Sequence, residues 1–174
     1  MLSPQALRRL RPSATTLAFK AASVPFRTLD DVRAGTGLTH DIDGARSRSR
    51  GFEVPDRSAR EAARVLLDLT AEVDFTLFEH FLADEAGHAQ DGEAAAEALD
   101  QFDLLLRAVV EERPEDLAVL VVSDHGNVED LSTRCHTLHA VPFLAFGVPE
   151  AQLAPLRTVA DVGALMLRLL GVEG

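Results

Sequence analysis

The stretch VVSDHGNVEDLSTRCHTLHAVPF, Val121 to Phe143, sets Asp124, His125, His136 and His139 between two apolar runs. Upstream, ADEAGH places Asp84 and His88 one helical turn apart around Gly87. Imidazole with carboxylate is the ligand set of Zn, Mn or Fe sites, so Asp84, His88, Asp124, His125 and His136 are the candidate metal ligands. Two such groups at neighbouring strand ends can hold two ions a few ångströms apart, the arrangement that clamps both oxygens of a phosphoryl displacement. A lone cysteine, Cys135, excludes a structural thiolate zinc site and an intrachain disulfide framework. Each piece alone has a plainer reading. Asp124 to Asn127 is also an ordinary turn; Asp84 and His88 also read as a helix N-cap and an exposed loop residue. His80 alternates with apolar neighbours and reads as a packed histidine, His139 stays unassigned, and Cys135 reads as a small loop residue. The conjunction at three successive strand ends carries the metal reading.

These residues need a scaffold, and the periodicity supplies one. Thr28 with Asp31 reads as a capping box for a short helix ending near Gly35. Ala59, Ala62, Ala63, Leu66 and Leu67 recur at helical spacing and predict an amphipathic helix over roughly residues 57 to 71. VDFTLFEHF, Val73 to Phe81, is β-branched and aromatic and predicts a strand. Asp91 caps a helix with the apolar stripe Ala95, Leu99, Phe102, Leu106 and Val109, which stops before Pro114. Leu117 to Ser123 and Val141 to Gly147 predict two further strands, and Thr158 with Asp161 caps a last helix closed by Gly171. The expected fold class is α/β, a layered and mainly parallel sheet with flanking helices, with the ligands in loops beyond the carboxyl ends of the strands. Residues 1 to 55 form a loop-rich segment and 56 to 174 the α/β unit. In the first of these, Arg46, Arg48 and Arg50 alternate with Ser47 and Ser49 as an exposed loop, or else face an anionic ligand.

The chain has 174 residues, 47% of them hydrophobic, enough for one core. Its formal net charge of -11 argues against nucleic acid as a partner, because phosphate contacts need a basic face. No apolar run reaches the ~18 residues of a membrane span, so no membrane is expected, and the single cysteine fits a reducing, cytoplasmic setting. Residues 1 to 29 carry Arg8, Arg9, Arg11, Lys20 and Arg27 with no acid. Such a composition is compatible with a transit peptide, although the segment runs into helix-like sequence without a cleavage-like break.

DEAGH, SDHGNVED and HTLHAVPFLAFG, in that order, resemble the alkaline phosphatase superfamily in its cofactor-independent phosphoglycerate mutase and phosphopentomutase branch, the metalloenzyme domain. The match runs from about Val73 to Gly147. The resemblance implies that Asp84, His88 and His136 bind one divalent ion, that Asp124 and His125 bind a second, and that both are Mn or Zn. It implies metal-dependent phosphoryl transfer on a phosphorylated small molecule through a phospho-enzyme. Full members open with a strand ending in a metal-binding Asp, followed by a Ser or Thr nucleophile, and neither has a counterpart here. The sequence therefore resembles the C-terminal part of a larger enzyme, an incomplete core with residues 1 to 55 as the end of a cap region. The alternative expectation is a non-catalytic truncated or split fragment that self-associates or needs a complementary chain.

Overall fold

The computed structural model describes residues 13–172, so Arg8, Arg9 and Arg11 lie outside the described residues. Its elements run α1 (Ala14–Ala21), α2 (Leu29–Ala34), α3 (Ala45–Ser49), α4 (Ala59–Thr70), α5 (Leu82–Ala89), α6 (Gly92–Glu112), β1 (Val119–Val122), β2 (Phe143–Phe146), α7 (Glu150–Leu153) and α8 (Val159–Leu169). Among the described residues no helix is long and apolar enough to cross a membrane.

Local signals set the helix starts. Thr28 with Asp31, Ser58 with Glu61, and Thr158 with Asp161 form reciprocal capping boxes at α2, α4 and α8. Asp91 accepts from the Glu93 and Ala94 N–H groups and starts α6. The α4 and α6 faces meet through Ala62, Ala63, Leu105, Ala108 and Val109, all buried, joined by Ile42. Alanine at the crossing brings the helix backbones close, and Leu66, Leu67, Phe78 and Phe102 fill the rim. Arg60 pairs with Glu111 and Glu112, and Arg64 with Glu112, along the wet edge of the same contact.

The sheet departs from expectation. The one sheet among the described residues has two strands, β1 and β2, and they are antiparallel, with Val119 opposite Phe146 and Val122 opposite Phe143. A parallel pair needs a crossover, usually a helix. The link between β1 and β2 contains no helix, so it returns as one long hairpin loop. Val73 to Phe81 joins no ladder. It keeps the alternation of a strand, with Val73, Phe75 and Leu77 exposed and Phe78 turned to the core. The predicted exposed loop at Arg46 to Arg50 is instead the short helix α3, which Asp41 steadies by accepting the Ser47 N–H at 3.0 Å.

Below this junction sits a second pair of histidines. His80 Nδ1 lies 3.0 Å from the His40 carbonyl oxygen, and its ring stacks on Phe102, as expected for a packed residue. Burial of the His40 ring pushes its pKa down from the usual 6.5, outweighing nearby Asp41 and Glu85. The folded state thus resists a proton that the unfolded chain takes up near 6.5, so stability must fall as pH drops below that value. In metal-free protein, the melting temperature should decline between pH 7 and 5.5, and a His40→Asn variant should decline less. An equal decline in both would remove His40 as the cause.

Candidate metal centre

Three elements bring the ligand candidates together. Helix α5 presents Asp84 and His88 one turn apart on the same face. The long loop after β1 carries Asp124 and His125, and its return arm carries His136. The two arms are pinned by a β-bridge between Gly126 and Thr137, with the Thr137 N–H donating to the Gly126 carbonyl at 2.9 Å. His125 and His136 flank that bridge, so the antiparallel return fixes their spacing.

The geometry centres on one oxygen. Asp84 Oδ1 lies 3.4 Å from His88 Nε2, 3.5 Å from His136 Nε2 and 3.9 Å from His125 Nε2. The Nε2 atoms of His88 and His136 are 3.2 Å apart. Asp84, His125 and His136 form a group whose ligand atoms all lie within 4.8 Å of one another. Asp124, with a side chain 85% exposed, reaches only His125, at 3.5 Å. Three of the five sequence candidates, His88, His125 and His136, therefore gather around a fourth, Asp84, and Asp124 stands beside His125.

These spacings can be tested against a metal's demands. An ion bonded tetrahedrally at about 2.0–2.1 Å holds its ligand atoms about 3.3–3.4 Å apart. The Asp84, His88 and His136 triangle has edges of 3.2, 3.4 and 3.5 Å, and so forms one face of such a tetrahedron. His88 Nδ1 lies 2.7 Å from the Arg134 carbonyl. That oxygen only accepts, so the ring proton sits on Nδ1 and leaves the Nε2 lone pair free for a cation.

Two residues behind the ligands were not singled out by sequence reasoning. Asn127 is 4% exposed and donates from Nδ2 to Asp84 Oδ1 at 2.6 Å, holding the carboxylate toward the histidines. Its amide lies directly against the Cα of Gly87. Only its place in the Asp-His-Gly-Asn tetrapeptide marked it, and there it reads as a turn residue. Glu129 accepts the Asn127 N–H at 2.7 Å and the Thr137 hydroxyl, and its Oε1 is 3.2 Å from His139 Nδ1. The Thr137 hydroxyl, then backbone N–H groups, hold the Glu129 carboxyl below the usual carboxylate range, so it is ionised.

The other candidates serve the scaffold. Arg48 donates to the Asp43 and Pro55 carbonyls and pairs with Asp56. Arg46 pairs with Glu85, and the cleft that it lines with Arg50 also carries Asp43, Asp91 and Glu97. Cys135 is exposed in the loop.

Comparison with known proteins follows the same lines. Residues 48–174 match the family model described as the Metalloenzyme superfamily. The phosphopentomutase of Deinococcus radiodurans is 30% identical over 172 residues, covering 94% of this chain and 42% of that protein. The phosphopentomutase of Desulfitobacterium hafniense is 30% identical over 148 residues, covering 83% of this chain and 36% of its own length. The 2,3-bisphosphoglycerate-independent phosphoglycerate mutase of Pseudomonas putida is 29% identical over 129 residues, covering 68% and 25%. The chain thus spans less than half the length of these curated relatives. No solved structure matches it significantly.

Proposed function

The chain belongs to the Metalloenzyme superfamily, and on that premise we propose that it is the metal-binding part of a phosphoryl-transfer protein of phosphomutase or phosphatase type. It acts in the cytoplasm on a phosphorylated small molecule. The observation that carries the reading is the convergence of three Nε2 atoms on Asp84 Oδ1. Asp84, His88 and His136 hold one divalent ion, Mn or Zn, and Asp124 with His125 holds the second.

The stacking of two rings supports this division. His125 and His136 lie face to face, with centroids 3.5 Å apart and planes 13° from parallel. Imidazole lone pairs lie in the ring plane, so nearly parallel rings send them side by side and not to a common point. Such a pair suits two ions about 3.5–4 Å apart, the spacing of two-metal phosphoryl-transfer sites. When bound, the ions supply Lewis-acid charge to the phosphoryl oxygens and to the attacking hydroxyl. The chain's own part is to fix them: Asp84 contributes the anionic ligand, Asn127 orients it, and the Arg134 carbonyl sets the His88 tautomer.

The second reading is a non-catalytic fragment that binds metal and needs a complementary chain. It draws on the unpaired segment Val73 to Phe81, whose Val73, Phe75 and Leu77 are about half exposed. A strand from a partner would pair there and extend the molecule toward a layered parallel sheet.

Metal loading separates both readings from an inert domain. At 100 times its dissociation constant each ion adds about 2.7 kcal/mol to the stability of a protein that binds it only when folded. At about 2–4 °C per kcal/mol for a chain this size, Mn or Zn should raise the melting temperature by roughly 5–10 °C per ion. No rise with either metal would sink both. Turnover of a generic phosphate ester by the loaded chain favours the first reading, and two bound ions without turnover favour the second.

A further inference from the structure

The loop that carries the ligands is closed by a carboxylate outside the ligand group. Glu129 Oε2 takes the Asn127 N–H at 2.7 Å from the outgoing arm, and Oε1 takes the Thr137 hydroxyl from the return arm. His139 Nδ1, two residues further along that arm, lies 3.2 Å from the same Oε1. Both oxygens are thereby engaged, and neither belongs to the group that gathers on Asp84. Gly126 is part of the device, since a Cβ there would overlap Thr137 Oγ1 and sit 2.5 Å from Glu129 Oε1. Its two hydrogen-bond donors each stand within two residues of a metal-ligand candidate: Asn127 follows His125 and Gly126, and Thr137 follows His136.

The geometry points to Glu129 as a positioning residue, a latch that clips the His136 arm of the loop to the His125 arm and so sets the distance between the two sets of ligands. The metal half of this assignment rests on the function proposed above; the structural half does not. The latch needs an oxygen for the Asn127 N–H and a polar group for the Thr137 hydroxyl, which can donate or accept. Glutamine offers both, whereas methionine keeps the length of the side chain and offers neither. The backbone bridge from Thr137 to Gly126 and the stacked rings of His125 and His136 would then be left to join the arms.

The test compares Glu129→Met, Thr137→Val and the double variant with the parent chain. Two quantities are read: hydrogen exchange of the Thr137 amide in metal-free protein, and the dissociation constants of Mn and Zn by calorimetric titration. A released latch should speed exchange at Thr137 at least tenfold in Glu129→Met. Metal affinity should fall by about 10–100-fold, the usual consequence of losing a group that orients ligands. Thr137→Val cuts the same contact from the other side and should reproduce both effects. Because one contact is removed twice, the double variant should be no worse than the weaker single. Unchanged exchange in Glu129→Met overturns the latch, as do losses that simply add. A parent chain that takes up neither metal, with exchange still accelerated in the variant, upholds the latch and overturns the metal reading instead.

Discussion

Asp84→Ala should abolish binding of one ion and weaken the other, whereas Asp124→Ala should remove one ion and leave its neighbour intact. Asp84 Oδ1 lies within 3.9 Å of three histidine Nε2 atoms, and it is the anion that the three share. A structural zinc site is worth about 10–16 kcal/mol over four ligands, so loss of one ligand costs on the order of 3 kcal/mol, about 100-fold in affinity. The variant also takes the 2.6 Å acceptor Asp84 Oδ1 from the buried Asn127 amide and leaves it the residue 84 carbonyl at 3.4 Å, at a cost of about 1 kcal/mol even without metal. Asp84→Asn keeps the shape but not the charge, and separates the two effects: its metal affinity should fall as far while its apo stability falls less. Asp124 is exposed and reaches only His125, so its removal leaves the triangle of Asp84, His88 and His136 untouched. Titration calorimetry with Mn or Zn, checked by native mass spectrometry, reads the stoichiometry directly. Two ions bound to Asp124→Ala would sink the division of ligands, and full-strength binding to Asp84→Ala would sink the site.

The site was more legible in this sequence than the sheet that holds it, and the reason is physical. Ligand chemistry is local: Asp84 with His88, and Asp124 with His125, announce themselves by residue type and spacing, and the structure brings Asp84, His88 and His125 to His136, with Asp124 beside His125 alone. Helix starts are equally local, so the capping boxes at Thr28 and Thr158 appear where expected. Strand pairing is a tertiary property. Val73 to Phe81 has the composition and alternation of a strand, but a ladder needs a neighbour, and the described residues provide none. The direction of β1 and β2 turned on whether a crossover element joins them, and a polar 20-residue link without helical periodicity favours a hairpin return. Leu99 shows the same limit on a finer scale. Its spacing fitted the apolar stripe of α6, yet the helix buries Ala98 in its place, on the side of Leu82 and Ala86 of α5, and leaves Leu99 49% exposed. Asn127 acts through Asp84, 43 residues away, and Glu129 acts across the loop on Thr137, and nothing in their own type reveals which side chains they hold.

Gly87→Ala should destabilise the protein and loosen the metal site together, against the ordinary preference of helices. Gly87 lies inside α5, where alanine normally adds about 1 kcal/mol of stability. Here a Cβ would overlap the Asn127 side-chain oxygen and lie 2.6 Å from its Cγ. Asn127 has no easy retreat, being 4% exposed and tied to Asp84. Overpacking of this kind costs about 1–3 kcal/mol or more, and the hydrogen bond to Asp84 goes with it. A net loss of about 2 kcal/mol should lower the melting temperature by roughly 4–8 °C, and metal affinity should drop about tenfold or more as Asp84 loses its orienting donor. Gly163 in α8 is the matched control, since a Cβ there meets nothing within 4 Å, and Gly163→Ala should be stabilising. The decisive variant is Gly87→Ala combined with Asn127→Ala. Removing the amide opens the space that the new methyl needs, so the double variant should be more stable than Gly87→Ala alone while its metal affinity stays low. Additive losses would show that the contact between Gly87 and Asn127 is not what the glycine is for.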